Sequence, residues 1–187
     1  MKKISWILIL CMLTALLAGC GTTSSSGTSS NDKPEIEVPN FADAIIQHTV
    51  FKADEGESYR EYQIVYYTGE THKLTKLVVE VQFDKDYGYT EEYLNEADLD
   101  ETYPNFSTFS FASRQVIDDG DYYTLVVTFD ELDNMDNIDR LEESGIIQTD
   151  DSPDSTFMDA DSYMDLLRGQ GYPEVEITDD AYLTLHF

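Results

Sequence analysis

Apolar side chains at every second position constrain this chain more than any other feature. Leu77, Val79, Val81 and Phe83 alternate with Lys76, Val78, Glu80 and Gln82, and Tyr123, Leu125, Val127 and Phe129 alternate with Tyr122, Thr124, Val126 and Thr128. Successive strand residues point to opposite faces, so this period predicts strands with one apolar face each. Tyr62, Ile64 and Tyr66, alternating with Gln63, Val65 and Tyr67, predict a hairpin partner for the first run. Thr68-Gly69-Glu70 is its expected turn, with Gly69 able to take a positive φ. Ile46 to Ala53 reads as an earlier strand. A second hairpin is expected to carry Phe109, Phe111 and Ile117 on one arm and to turn at Asp118-Asp119-Gly120-Asp121. The polar residues opposite the apolar face predict a sheet covered on one side only.

Helical spacing falls between and after these hairpins. Thr90 to Tyr103 reads as a helix with Thr90 as N-cap, Glu91 and Glu92 at its positive end, Tyr93, Leu94 and Ala97 inward, and Pro104 as its stop. A shorter helix is expected over 133–143, with Met135, Ile138 and Leu141 inward and Gly145 ending it. The clearest helix is Asp159 to Arg168, capped by Asp159 and carrying the stripe Ala160, Tyr163, Met164 and Leu167, with Gly169 and Gly171 as terminators. Tyr172 to Ile177 is expected to extend a sheet edge, and Tyr182 to Phe187 to form a last strand. The order ββα, repeated, defines an α+β fold: a largely antiparallel β-sheet in a ββα-ββα order with helices packed on one face.

The amino terminus constrains location. Lys2 and Lys3 precede an apolar run from Ile4 to Ala18, which ends at Leu17-Ala18-Gly19-Cys20. A basic start, a short apolar core and small residues before a cut site make a secretion signal. The run falls short of the roughly 20 apolar residues a spanning helix needs. The cysteine directly after Leu-Ala-Gly resembles the lipobox of bacterial lipoproteins. That resemblance implies a signal peptide over residues 1–19 and a diacylated Cys20 as first residue of the mature chain. Two acyl chains hold a protein on a bilayer stably where one does so only marginally.

Gly21 to Asn31 is almost entirely Gly, Ser and Thr, a flexible coil with a reach of about 18 Å, and Pro34 and Pro39 stiffen the segment beyond it. Residues 20–40 therefore read as a tether and 41–187 as one α+β domain. The only cysteines are Cys11, inside the signal, and Cys20. No disulfide is available, so the hydrophobic core alone must hold the domain together outside the cell.

The formal charge of −27 rules out nucleic acid as a partner, since phosphate contacts need basic patches. It also repels anionic headgroups, so the lipid at Cys20 is the expected membrane contact. Catalytic signatures are missing: His48, His72 and His186 are isolated, and no GxSxG, HExxH or paired-histidine spacing occurs. Neighbouring carboxylates are expected by chance among 38 acidic residues. Calcium is the metal best suited to carboxylate oxygens. Asp130, Asp133, Asp136 and Asp139 form one acidic cluster, and Asp150, Asp151 and Asp154 another. Neither fits a calcium-loop pattern, and spacing by three is the look of a solvated helix flank. No metal and no cofactor is therefore expected, with Asp150, Asp151 and Asp154 the weak metal candidates. Of the tyrosines, alternation makes Tyr62, Tyr66 and Tyr123 core-facing and leaves Tyr67, Tyr87, Tyr89 and Tyr122 exposed.

The lipobox, the segments Tyr66-Tyr67-Thr68-Gly69-Glu70 and Leu74-Thr75-Lys76, the helix ending at Tyr103, the run Asp121 to Val127 and Leu166-Leu167-Arg168-Gly169-Gln170-Gly171-Tyr172 together resemble the YehR-like family of small bacterial lipoproteins. The resemblance spans about residues 50 to 178. Residues 148–155 and the tail after Asp179 depart from the family pattern. The family has no assigned biochemical function, so no catalytic residue carries over. These readings converge on a non-enzymatic, lipid-anchored extracytoplasmic protein with a binding or envelope-interaction role, a Gly/Ser tether suiting a Gram-positive surface. The alternatives are small-ligand or Ca²⁺ binding through the acidic surface and, behind that, a hydrolase of envelope polymers.

Overall fold

A computed structural model describes residues 45–148 and 156–176, all within the compact unit Asn40–Phe187. The signal segment, Cys20, the tether, Asp150, Asp151, Asp154, His186 and the expected strand 182–187 lie outside the described residues.

The fold is α+β, built on a six-stranded sheet in which every neighbouring pair is antiparallel. Its strands are β1 (Ile46–Glu55), β2 (Tyr59–Thr68), β3 (Leu74–Asp84), β4 (Ala112–Asp119), β5 (Tyr122–Phe129) and β6 (Glu174–Val175), in the spatial order β4-β5-β3-β2-β1-β6. The helices are α1 (Glu91–Asn95), α2 (Met135–Glu143) and α3 (Ala160–Gly169). They pack on one face, where Leu94, Ile138, Leu141, Tyr163, Met164 and Leu167 meet Phe51, Val65, Leu77, Val79, Phe83, Leu125, Val127 and Phe129.

Both longer helices begin and end as their sequences dictate. The side chains of Asn134 and Asp159 accept hydrogen bonds from the Asp136 and Asp161 amides, so each caps its helix. At the other ends Gly145 (φ 70°) and Gly171 (φ 89°) take the left-handed conformation. The following amides, of Ile146 and Tyr172, reach back to the carbonyls of Leu141 and Leu167. This reversal satisfies carbonyls that a helix end leaves open. The amino end of α3 is sewn to the sheet: Leu74 N–H donates to the Met158 carbonyl (2.9 Å) and Ala160 N–H to that of His72 (2.8 Å).

Several expectations need correction. The helix over 90–103 is only α1 plus a 3₁₀ turn at Leu99–Glu101. Asp98, extended, caps the new turn through its carboxylate, and Arg114 takes the Ala97 carbonyl at 2.6 Å. Local side-chain bonds thus compete with helix continuation. Tyr93 is exposed, and Leu94 is the side chain that α1 buries. Positive φ in the β2–β3 turn falls on His72 (φ 50°) and not on Gly69, because the turn is longer than three residues. It closes through Thr68, which bonds Thr71 and the Lys73 amide.

The face opposite the helices is not bare. Val50, Tyr62, Ile64, Tyr66, Val78 and Val126 form a second buried cluster there, and Glu80, Gln82 and Thr124 are buried as well. The central strands carry apolar residues in both registers, so both faces lose water at the sheet centre. Tyr62 and Tyr66 are buried in this smaller cluster, while Tyr67 and Tyr89 pack against the main one, leaving Tyr87 as the exposed member of its expected group. Phe109 and Phe111 stack at 5.1 Å in the main core, before β4 begins, while Ile117 packs against the second cluster.

Candidate functional site

The site is built where β1 and β2 meet at their turn. β1 carries a register shift between Lys52, opposite Tyr62, and Asp54, opposite Glu61, so Ala53 is the extra residue of a β-bulge. Without it Ala53 would face Glu61. The bulge instead sets two carboxylates directly across from one another, a placement that costs stability. The turn between the two strands closes with Gly56 N–H on the Tyr59 carbonyl (2.9 Å). A Cβ on Gly56 would meet the Tyr59 ring at 2.5 Å, so glycine is what lets that ring lie where it does. Tyr59 Oη then donates to Asp54 Oδ2 at 2.5 Å. This bond, together with partial burial and the charges of Asp54 and Glu61, pushes the Tyr59 phenol up to about 12.

Glu61 sits on the helix-side face and is 8% exposed. Among the described residues its side chain has neither a hydrogen bond nor an ion pair. Arg60 is next in sequence, but alternation turns it to the other face, where it lies over the Tyr122 ring at 5.4 Å and near Glu55 at 3.7 Å. Burial first, and the Asp54 charge second, raise the Glu61 carboxyl to about 7. Two tyrosines close the surroundings. Tyr163 of α3 donates to Gln63 Oε1 at 3.1 Å, two residues along from Glu61 on the same face. Tyr103 follows the 3₁₀ turn and rests edge-on against Phe129 at 5.7 Å. Burial, then the charges of Glu61 and Tyr163, hold its phenol well above the usual range. A carboxyl that titrates near neutrality among phenols can exchange a proton or receive a cationic group.

The expected chemical residues are not drawn together. Asp130 pairs with Lys76 at 3.2 Å, and Asp133, Asp136 and Asp139 are exposed. Among the described residues no group of three or more His, Cys, Asp or Glu side chains is placed to hold a metal ion. His48 rests on the Tyr66 ring (5.5 Å) on the face away from the helices. His72 bonds Asp161 through Nδ1 at 2.6 Å and lies 5.3 Å from the Tyr67 ring, tying the β2–β3 turn to α3. Sequence reasoning passed over Glu61 and Asp54. The available signal was a charged residue in register with Gln63 and Val65. It is weak because Ile64 and Val65 offer an apolar residue to either face.

An antiparallel α+β domain with a carboxylate, Glu61, buried opposite a second one at a strand bulge is the class that the fold and site define. No protein-family model matches the chain, and no curated protein matches it. Among solved structures, it is similar to a protein from Streptococcus pneumoniae TIGR4 determined by NMR, at 11% identity and a TM-score of 0.43, covering 84% of this chain and all of that one. It is also similar to the NMR structure of the Escherichia coli YehR protein, at 12% identity and a TM-score of 0.47, covering 73% of this chain and 96% of the other. Overlaps this loose carry no argument about fold or activity.

Proposed function

We propose that this chain is a surface-anchored lipoprotein of the YehR-like kind, held to the outside of a bilayer by a diacylated Cys20 and acting by binding, not by catalysis. The observation that carries the reading is Leu17-Ala18-Gly19-Cys20 at the end of a short apolar run behind two lysines. The Gly/Ser-rich stretch after it suits a leash that lifts a domain of strong negative charge clear of anionic headgroups, and favours a Gram-positive surface. Metabolic labelling tests it. In a bacterial host fed labelled palmitate the chain takes up label and the Cys20→Ala form does not; a wild-type chain without label contradicts the proposal.

A second reading, binding of a small cationic ligand, is favoured by one specific observation: Glu61 is buried beside Asp54 without a neutralising partner among the described residues.

A further inference from the structure

A buried carboxylate facing a second one is costly to keep, and a chain folded for stability alone would replace or pair it. Here the opposite has happened. A bulge brings Asp54 across from Glu61, Gly56 makes room for the Tyr59 ring, and Tyr59 fixes the Asp54 carboxylate by a 2.5 Å bond. Glu61, buried as it is, has no hydrogen-bond donor among the described residues. Its surroundings supply acceptors, aromatic rings and, from Tyr103, a neutral phenol that makes no hydrogen bond to it and carries no charge to balance it. The hydroxyl of Tyr59 is committed to Asp54 and that of Tyr163 to Gln63, and the cation nearest in sequence, Arg60, is on the other face. The missing element is a positively charged donor.

We propose that Glu61, with Asp54 across from it and Tyr59 and Tyr103 beside it, is the recognition point for a primary ammonium group on a small organic ligand. Such a group supplies both a charge to balance the carboxylates and N–H donors for Glu61, and charge-assisted bonds of this kind are the stronger ones. Tyrosine rings suit the carbon chain that carries the amine and add attraction for the cation itself. A divalent metal fits less well, because Asp54 and Glu61 are two carboxylate ligands where calcium takes six to eight oxygens. The proposal rests on the binding reading above and names the chemistry of the ligand.

The test is calorimetric titration of the full chain, purified in a non-ionic detergent whether it is recovered from membranes or from the soluble fraction, with n-butylammonium chloride at fixed ionic strength. n-Butanol and calcium chloride serve as matched probes. Saturable binding of n-butylammonium is expected, with none for n-butanol. Glu61→Gln should weaken it at least ten-fold and Asp54→Asn, a change at an exposed position, about three-fold. Because the amine needs an ionised Glu61, affinity should rise about ten-fold from pH 6 to pH 8. Carbon-13 NMR of the wild-type glutamate carboxyls gives a reading that needs no variant: the most shifted resonance should move with the amine. No saturable binding, equal binding by Glu61→Gln, or displacement of the amine by calcium overturns the proposal. The titration is independent of lipidation, so failure of the anchor and failure of the site are distinguishable.

Discussion

A carboxyl buried beside another carboxylate binds its proton at higher pH in the folded chain than in the unfolded one. For Glu61 the folded value is about 7 against an ordinary 4.5. Between those values the folded state holds a proton that the unfolded state has lost, so folding stability falls as pH rises from about 4.5 to 7 and changes no further above. The groups facing it are Asp54 from β1, Tyr59 on β2 itself and Tyr103 from the 3₁₀ segment, and of these Asp54 adds to the rise. At 1.36 kcal/mol for each unit, the loss amounts to about 3 kcal/mol. Glu61→Gln removes that titration. Urea unfolding at pH 5 and pH 8 should show the variant gaining on the wild type by about 2.5 kcal/mol at the higher pH, part of the loss having already occurred below pH 5. Parallel pH profiles for the two proteins would mean that Glu61 is not held as described.

Helix ends offer a contrast within a single element. Gly171 ends α3 with φ 89°, and Gly169, the last residue of the helix, has an ordinary backbone; a Cβ at either would meet nothing within 4 Å. Packing is therefore equal, and only conformation differs. Gly171→Ala should cost about 1 kcal/mol, because L side chains disfavour the left-handed region, while Gly169→Ala should stabilise by roughly 0.5 kcal/mol. Thermal melts of the two variants should move in opposite directions, and movement in the same direction would refute the assignment. The same helix shows what a sequence makes legible. Its cap, its stripe and its glycine stop are all local signals, and Ala160, Tyr163, Met164 and Leu167 are buried as the spacing requires. The segment after α1 is harder to read, since its break depends on Arg114, a residue of β4, capturing the Ala97 carbonyl. The bulge in β1 is likewise a matter of pairing between strands. Nothing in Lys52-Ala53-Asp54 by itself says which residue is extra, and so the carboxylate pair was not foreseeable.

At the scale of the whole molecule, sheet and helices share one main core, and the described residues include no cysteine to brace it. Phe129 stands near its centre, fully buried, with Tyr103 and Phe106 edge-on at 5.7 and 6.1 Å. Phe129→Ala should cost about 3–5 kcal/mol by urea unfolding, and a loss below about 1 kcal/mol would show that the core is not concentrated there. Among its described residues no helix is long and apolar enough to cross a membrane, and the proposed lipid at Cys20 would be what holds the chain to one. The anchoring claim is tested most directly by the intact mass of the chain purified from membranes of its own host. The account predicts a chain beginning at Cys20 and heavier than its sequence by a diacylglyceryl group. An unmodified chain, or one beginning at another residue, would contradict it.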